Sequence, residues 1–87
     1  MASRARGIGK SIYTARQGAF CELLIAARKK AGLTQQEVAQ RLKRPQSFVA
    51  KFEGGERRLD VVEFLAVAKA IEADPVRLIR KLMRHSD

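Results

Sequence analysis

The sequence predicts an all-α fold, a compact domain of five helices behind a flexible basic N-terminal arm. Three observations carry this. Apolar residues recur at three- and four-residue spacing through most of the chain, no stretch alternates in the manner of a strand, and each apolar block is bounded by helix start or stop signals.

Residues 1–12 hold Arg4, Arg6 and Lys10 with no acid, plus Gly7 and Gly9, a composition too polar to bury itself. They are expected to form the arm. A first helix is expected from about Tyr13 to Lys30, with Phe20, Leu23, Leu24, Ala27 and Ala31 on its apolar side, and Gly32 stops it. Thr34 and Glu37 form a capping box, which starts a second helix at Gln35 that buries Val38, Ala39 and Leu42. The chain breaks at Lys43-Arg44-Pro45, because proline disfavours helical geometry before it and suits a helix's first turn.

A third helix, about Pro45 to Glu53, follows. At about 100° per residue, Phe48, Val49 and Phe52 gather on one side, and Gln46, Ser47, Ala50 and Lys51 on the other. Gly54-Gly55 ends it and Glu56-Arg57-Arg58 forms a charged loop. Asp60 and Glu63 open a fourth helix whose expected stripe is Val61, Phe64, Leu65, Ala68 and Ile71. Asp74-Pro75 starts a last helix carrying Leu78, Ile79 and Leu82. The domain therefore runs over residues 13–84, with a helix-turn-helix at about 34–53 and a short tail at 85–87 in which His85 has no assigned role.

Composition narrows the functions open to such a domain. The chain has 87 residues and a net charge of +9, which favours a polyanionic partner, nucleic acid or an acidic membrane surface. No run approaches the roughly 20 apolar residues of a membrane span, and the N-terminus lacks a secretory signal's apolar core. One cysteine and one histidine supply neither an internal disulfide nor a metal ligand set, so no metal or other cofactor is expected. Cys21 is read as a small buried apolar residue. There is no nucleophile beside a histidine and no pair of facing carboxylates, so the chain is not expected to be an enzyme. RNA binding would call for exposed stacking aromatics, whereas the phenylalanines occupy core positions; Phe48 in particular sits at the core edge beside Phe52.

What remains is a short helix with a bare polar face in a basic domain, a shape suited to the DNA major groove. On that face Gln46 suits adenine, Lys51 suits guanine or a phosphate, and Ala50 offers a methyl group to thymine, with Ser47 completing the base-facing set. Arg57 and Arg58 follow the helix and Arg44 lies in the turn before it, all three placed to meet backbone phosphates.

From about Leu24 to Ile79 the chain resembles the lambda-repressor/Cro-like, or Xre, helix-turn-helix family. The residues that carry the likeness are Arg28, Gly32-Leu33-Thr34-Gln35, Glu37-Val38-Ala39, Gln46-Ser47, Val49, Glu53 with Gly55, and Leu65, Ala68 and Ile71. The resemblance implies that Gln35 clamps a phosphate, that Gln46, Ser47, Ala50 and Lys51 meet base edges, and that Arg28 pairs with Glu53 to set the angle of the groove-reading helix. The chain departs from the family at Lys43-Arg44-Pro45, where many members carry a small turn residue and a serine or threonine cap.

The resemblance further implies a cytoplasmic, bacterial or phage, nucleoid-associated transcriptional regulator, a repressor by preference, that binds an inverted-repeat double-stranded operator as a homodimer. Leu78, Ile79, Leu82 and Met83 of the last helix are the expected dimer surface. The alternative is an antitoxin or adaptor on the same fold, holding a protein partner and binding DNA to regulate its own expression.

Overall fold

The computed structural model describes residues 14–85, which form five helices and no strand. In order these are α1 (Ala15–Lys30), α2 (Gln35–Leu42), α3 (Gln46–Glu53), α4 (Val61–Ala70) and α5 (Pro75–Met83). The expected arm with Arg4, Arg6 and Lys10, and tail residues Ser86 and Asp87, lie outside the described residues.

Four of the five helices begin on a side-chain cap. Thr14 Oγ1 accepts from the Gln17 N–H at 3.0 Å, and Asp74 Oδ1 accepts from the N–H groups of Val76 and Arg77. Both expected capping boxes are complete, at Thr34 with Glu37 and at Asp60 with Glu63, each satisfying two otherwise orphaned amides. The fifth, α3, differs. Pro45 occupies its N-cap rather than its first turn, with no side-chain cap bond, so α3 begins one residue later than the sequence suggests.

The first four helices share one device at their ends. After α1, Leu33 N–H reaches back to Arg28 O at 3.2 Å and Gly32 N–H to Lys29 O at 2.9 Å, the paired bonds of a Schellman closure. The same pairing recurs after α2, from Arg44 N–H to Ala39 O and Lys43 N–H to Gln40 O. It recurs again after α3 and α4. Each closure requires a residue of positive φ, supplied by glycine at Gly32 (76°) and Gly55 (81°) but by Lys43 (57°) and Glu72 (60°) at the other two. A side chain in that conformation costs about 1–2 kcal/mol, so the turn between α2 and α3 is held left-handed against local preference.

The core gathers Leu24, Val38, Ala39, Val49, Phe52, Val67, Ala68 and Ile71, with Phe48, Phe64, Ala70 and Leu78 at its margin. Phe20 packs on Phe64 with ring centroids 5.4 Å apart. Leu42 is only partly buried against this cluster.

Two expectations for α4 are corrected, since Val61 and Leu65 point to solvent, Leu65 at 49% exposure, while Phe64, Val67, Ala68 and Ile71 face inward. The helix is apolar on nearly every side, so spacing alone could not choose its buried face. Leu78 is likewise a core residue rather than free surface on α5, because α5 packs against both α1 and α4 and buries it between them. Leu82 is half-buried, in a cleft with Thr14, Arg16, Gln17, Phe20 and Arg58. The start of α1 is tied to the end of α5 through Arg16, whose Nε and Nη2 donate to the His85 carbonyl.

Candidate nucleic-acid interface

The two sides of α3 have different environments. Phe48, Val49, Phe52 and Glu53 are buried, whereas Gln46, Ser47, Ala50 and Lys51 are exposed in one strip. This division follows from the helical period, because the buried four recur at offsets of one, three and four and so share one side of the rod. Among the described helices α2 packs against α3 more extensively than any other pair, and α1 also packs against α3. The strip is thus mounted on a fixed element rather than on a loop.

The C-terminal end of α3 is anchored by a buried charge. Glu53 Oε2 accepts from Arg28 Nε at 2.7 Å and Oε1 from Arg28 Nη2 at 3.1 Å, a bidentate pair whose side chains retain 5% and 12% exposure. Arg28 Nη1 also donates to the Leu33 carbonyl at 2.9 Å, tying the pair to the turn before α2. Glu53 Oε1 takes a third bond, from Gln35 Nε2 at 2.9 Å, and Gln35 Oε1 accepts from Gln46 Nε2 at 3.4 Å. A continuous polar chain therefore runs from α1 through the buried carboxylate to the first residue of the exposed strip.

The N-terminal end is held by a second cluster, which the sequence reading did not foresee. The Arg57 fork grips both oxygens of Glu63, at 3.0 and 2.8 Å, and Arg57 Nη1 also donates to the Arg58 carbonyl. Arg44 comes within 3.6 Å of the same carboxylate. The two guanidinium carbons lie 4.4 Å and 4.8 Å from the Phe48 ring centroid, within cation–π range. Arg57 and the Asp60 amide hold the Glu63 carboxyl down at about 2, and hydrogen bonding to Glu63 raises Arg57 above its ordinary value. In the sequence Glu63 is visible only as the far half of a capping box; its separation from Arg44 hides the second role.

Of the residues expected to face DNA, Gln46, Ser47, Ala50, Lys51, Arg44 and Arg58 are exposed, while Gln35 and Arg57 are half-buried and engaged as described. Phe48 is a core-edge residue, edge-on to Phe52 at 5.4 Å. Cys21 is buried with Sγ 3.3 Å from the Phe52 carbonyl, and that burial raises its pKa. Among the described residues no group of three or more His, Cys, Asp or Glu side chains is placed to hold a metal ion, and no helix is long and apolar enough to cross a membrane. Among the described residues, the large apolar side chains left exposed, Val61, Val62, Leu65, Val76, Ile79 and Met83, all lie on α4 and α5.

The profile of a family described as a helix-turn-helix domain matches residues 19–80. An XRE-family like protein from Pseudomonas syringae pv. tomato str. DC3000 is 50% identical and superposes with a TM-score of 0.80, over 90% of this chain and 95% of that one. The restriction-modification controller protein C.AhdI from Aeromonas hydrophila is 29% identical, with a TM-score of 0.68 over 75% of this chain and 98% of that one. The clp gene regulator ClgR from C. glutamicum shares the fold at 17% identity, with a TM-score of 0.72 over 82% of this chain and 92% of that one. No curated protein matches the sequence.

Proposed function

Because the chain belongs to the XRE-like helix-turn-helix family, a family of DNA-binding regulators and not of enzymes, we propose that it is a sequence-specific repressor that reads an inverted-repeat operator as a homodimer. One observation carries the reading: α3 turns every large apolar residue inward and leaves Gln46, Ser47, Ala50 and Lys51 as an open strip. With α3 in the major groove, Gln46 is suited to adenine. Its amide gives one N–H to Gln35, which leaves the carbonyl oxygen and second N–H for the bidentate adenine contact. Gln35, Arg44 and Arg58 ring the strip as the phosphate-facing set, while Arg57, expected with them, spends its fork on Glu63.

One α3 reads only a few base pairs, so two copies related by a two-fold axis supply the needed information. The apolar side chains of α4 and α5 are the surface for that pairing. Ile79 and Met83 remain from the sequence expectation, and Val61, Val62, Leu65 and Val76 join them. Isologous contact would cover an apolar face that a monomer leaves wet.

Selection of bound duplexes from a random pool tests the reading. A palindromic motif with half-site centres about 34 Å apart is expected, and binding should weaken with salt by a log–log slope of about −0.9 per neutralised phosphate. Failure to enrich any motif, together with a tight protein partner in a pull-down, would instead favour the antitoxin or adaptor reading.

A further inference from the structure

We propose that Glu63 is a positioning residue for DNA recognition: it gathers Arg44 from the turn before α3 and Arg57 from the loop after it against Phe48, so that Arg44 is presented to a backbone phosphate. The inference rests on the DNA-binding reading above.

Three observations combine. First, among the described helices α3 alone begins without a side-chain cap, and it follows a turn held left-handed by Lys43 rather than by glycine, so its N-terminal end needs support from elsewhere. The Arg44 and Arg57 guanidiniums supply it by packing on Phe48 of α3 itself while reaching Glu63 on α4. Second, the two arginines are engaged unequally. Arg57 gives hydrogen bonds to both Glu63 oxygens and to the Arg58 carbonyl, so its fork is turned inward. Arg44 approaches only to 3.6 Å and makes no hydrogen bond comparable to Arg57's, although the two side chains are similarly exposed, at 46% and 38%. Third, one carboxylate between two guanidiniums leaves a unit of positive charge, and the geometry puts it on the outer arginine. A phosphate arriving beside α3 therefore meets Arg44 already oriented, and Arg57 acts through it.

Glu63→Gln is a selective test, because glutamine still serves the capping box with Asp60 but no longer attracts the arginines. The variant is measured with the parent chain, Arg44→Gln and an Arg57→Gln/Glu63→Gln double variant, on the selected operator and a scrambled duplex across a salt series. Circular dichroism checks that each is folded. Although Glu63→Gln makes the protein more positive, its preference for operator over scrambled duplex should fall about fivefold, roughly what one exposed ionic contact provides. Arg44→Gln should lower the salt slope by about one, and the double variant should keep the parent's slope, because Arg57 itself meets no phosphate and Arg44, though no longer held by Glu63, still brings its charge to one.

Equal tightening of Glu63→Gln on both duplexes would make Glu63 a mere charge and overturn the proposal. So would an unchanged slope in Arg44→Gln, or loss of a unit of slope in the double variant. In each of those results the parent still selects an operator and the DNA reading survives. A parent chain that selects no operator overturns both.

Discussion

The two ends of α3 are held by ionic clusters of opposite design. At the C-terminal end one arginine meets one carboxylate out of water, Arg28 on Glu53, and a glutamine takes up the spare oxygen. At the N-terminal end two arginines share one carboxylate at the surface and rest on an aromatic ring. Removing a partner has different consequences in the two places. Inside, the survivor is an uncompensated charge that water cannot reach; outside, solvent and salt screen whatever is left. The inner pair is therefore a structural commitment, and the outer cluster governs where a cation points.

The contrast makes unequal demands on mutants. Arg28→Ala should cost about 3–5 kcal/mol in urea unfolding, because Glu53 keeps only its bond from Gln35; a loss no larger than that of an exposed pair would erase the distinction between the two ends. Gln46→Ala lies at the outer end of the polar chain that starts at Arg28, and should relax preference at one operator position by about 1–3 kcal/mol while leaving unfolding nearly unchanged. Competition binding against single-base operator variants reads this directly. Thr34→Ala, which removes the cap of α2 and touches neither cluster, should cost about 1 kcal/mol in the same unfolding assay.

Acid acts on the outer cluster. Glu63 has a folded-state pKa of about 2 against an ordinary 4.5, so its ionised form stabilises the fold above about pH 4.5, and the contribution disappears as pH falls toward 2. Glu37, also lowered by its capping bonds to Thr34, acts in the same direction. The melting temperature of the parent should decline through this range, and Glu63→Gln should show a shallower decline. Equal slopes would mean that Glu63 is no more tightly held by the arginines when folded than when unfolded.

Much of the domain was readable from local signals. Thr34 with Glu37 and Asp60 with Glu63 announce helix starts because capping is a contact between residues three apart, and Gly32 and Gly55 announce stops because the closure needs positive φ. Lys43 and Glu72 make the same closure with no such signal, since nothing in either residue type favours a left-handed conformation. The polar strip of α3 was also readable, its partition requiring only the helical period. The clamp on Arg44 was not, because Arg44, Phe48, Arg57 and Glu63 come from four successive segments and meet only when the fold brings the start of α4 beside the turn before α3. The link from Arg41 on α2 to the Ala70 carbonyl and Glu72 escaped notice for the same reason.

Periodicity and capping, which act within one or two helical turns, were enough to dictate five helices and the polar side of the third. Which side of the nearly all-apolar α4 is buried, that Leu78 belongs to the core, and which arginine faces outward depended on contacts between distant segments. Such contacts exist only after the chain has closed on itself, because their energy is gained by packing two surfaces together and neither surface alone specifies its partner.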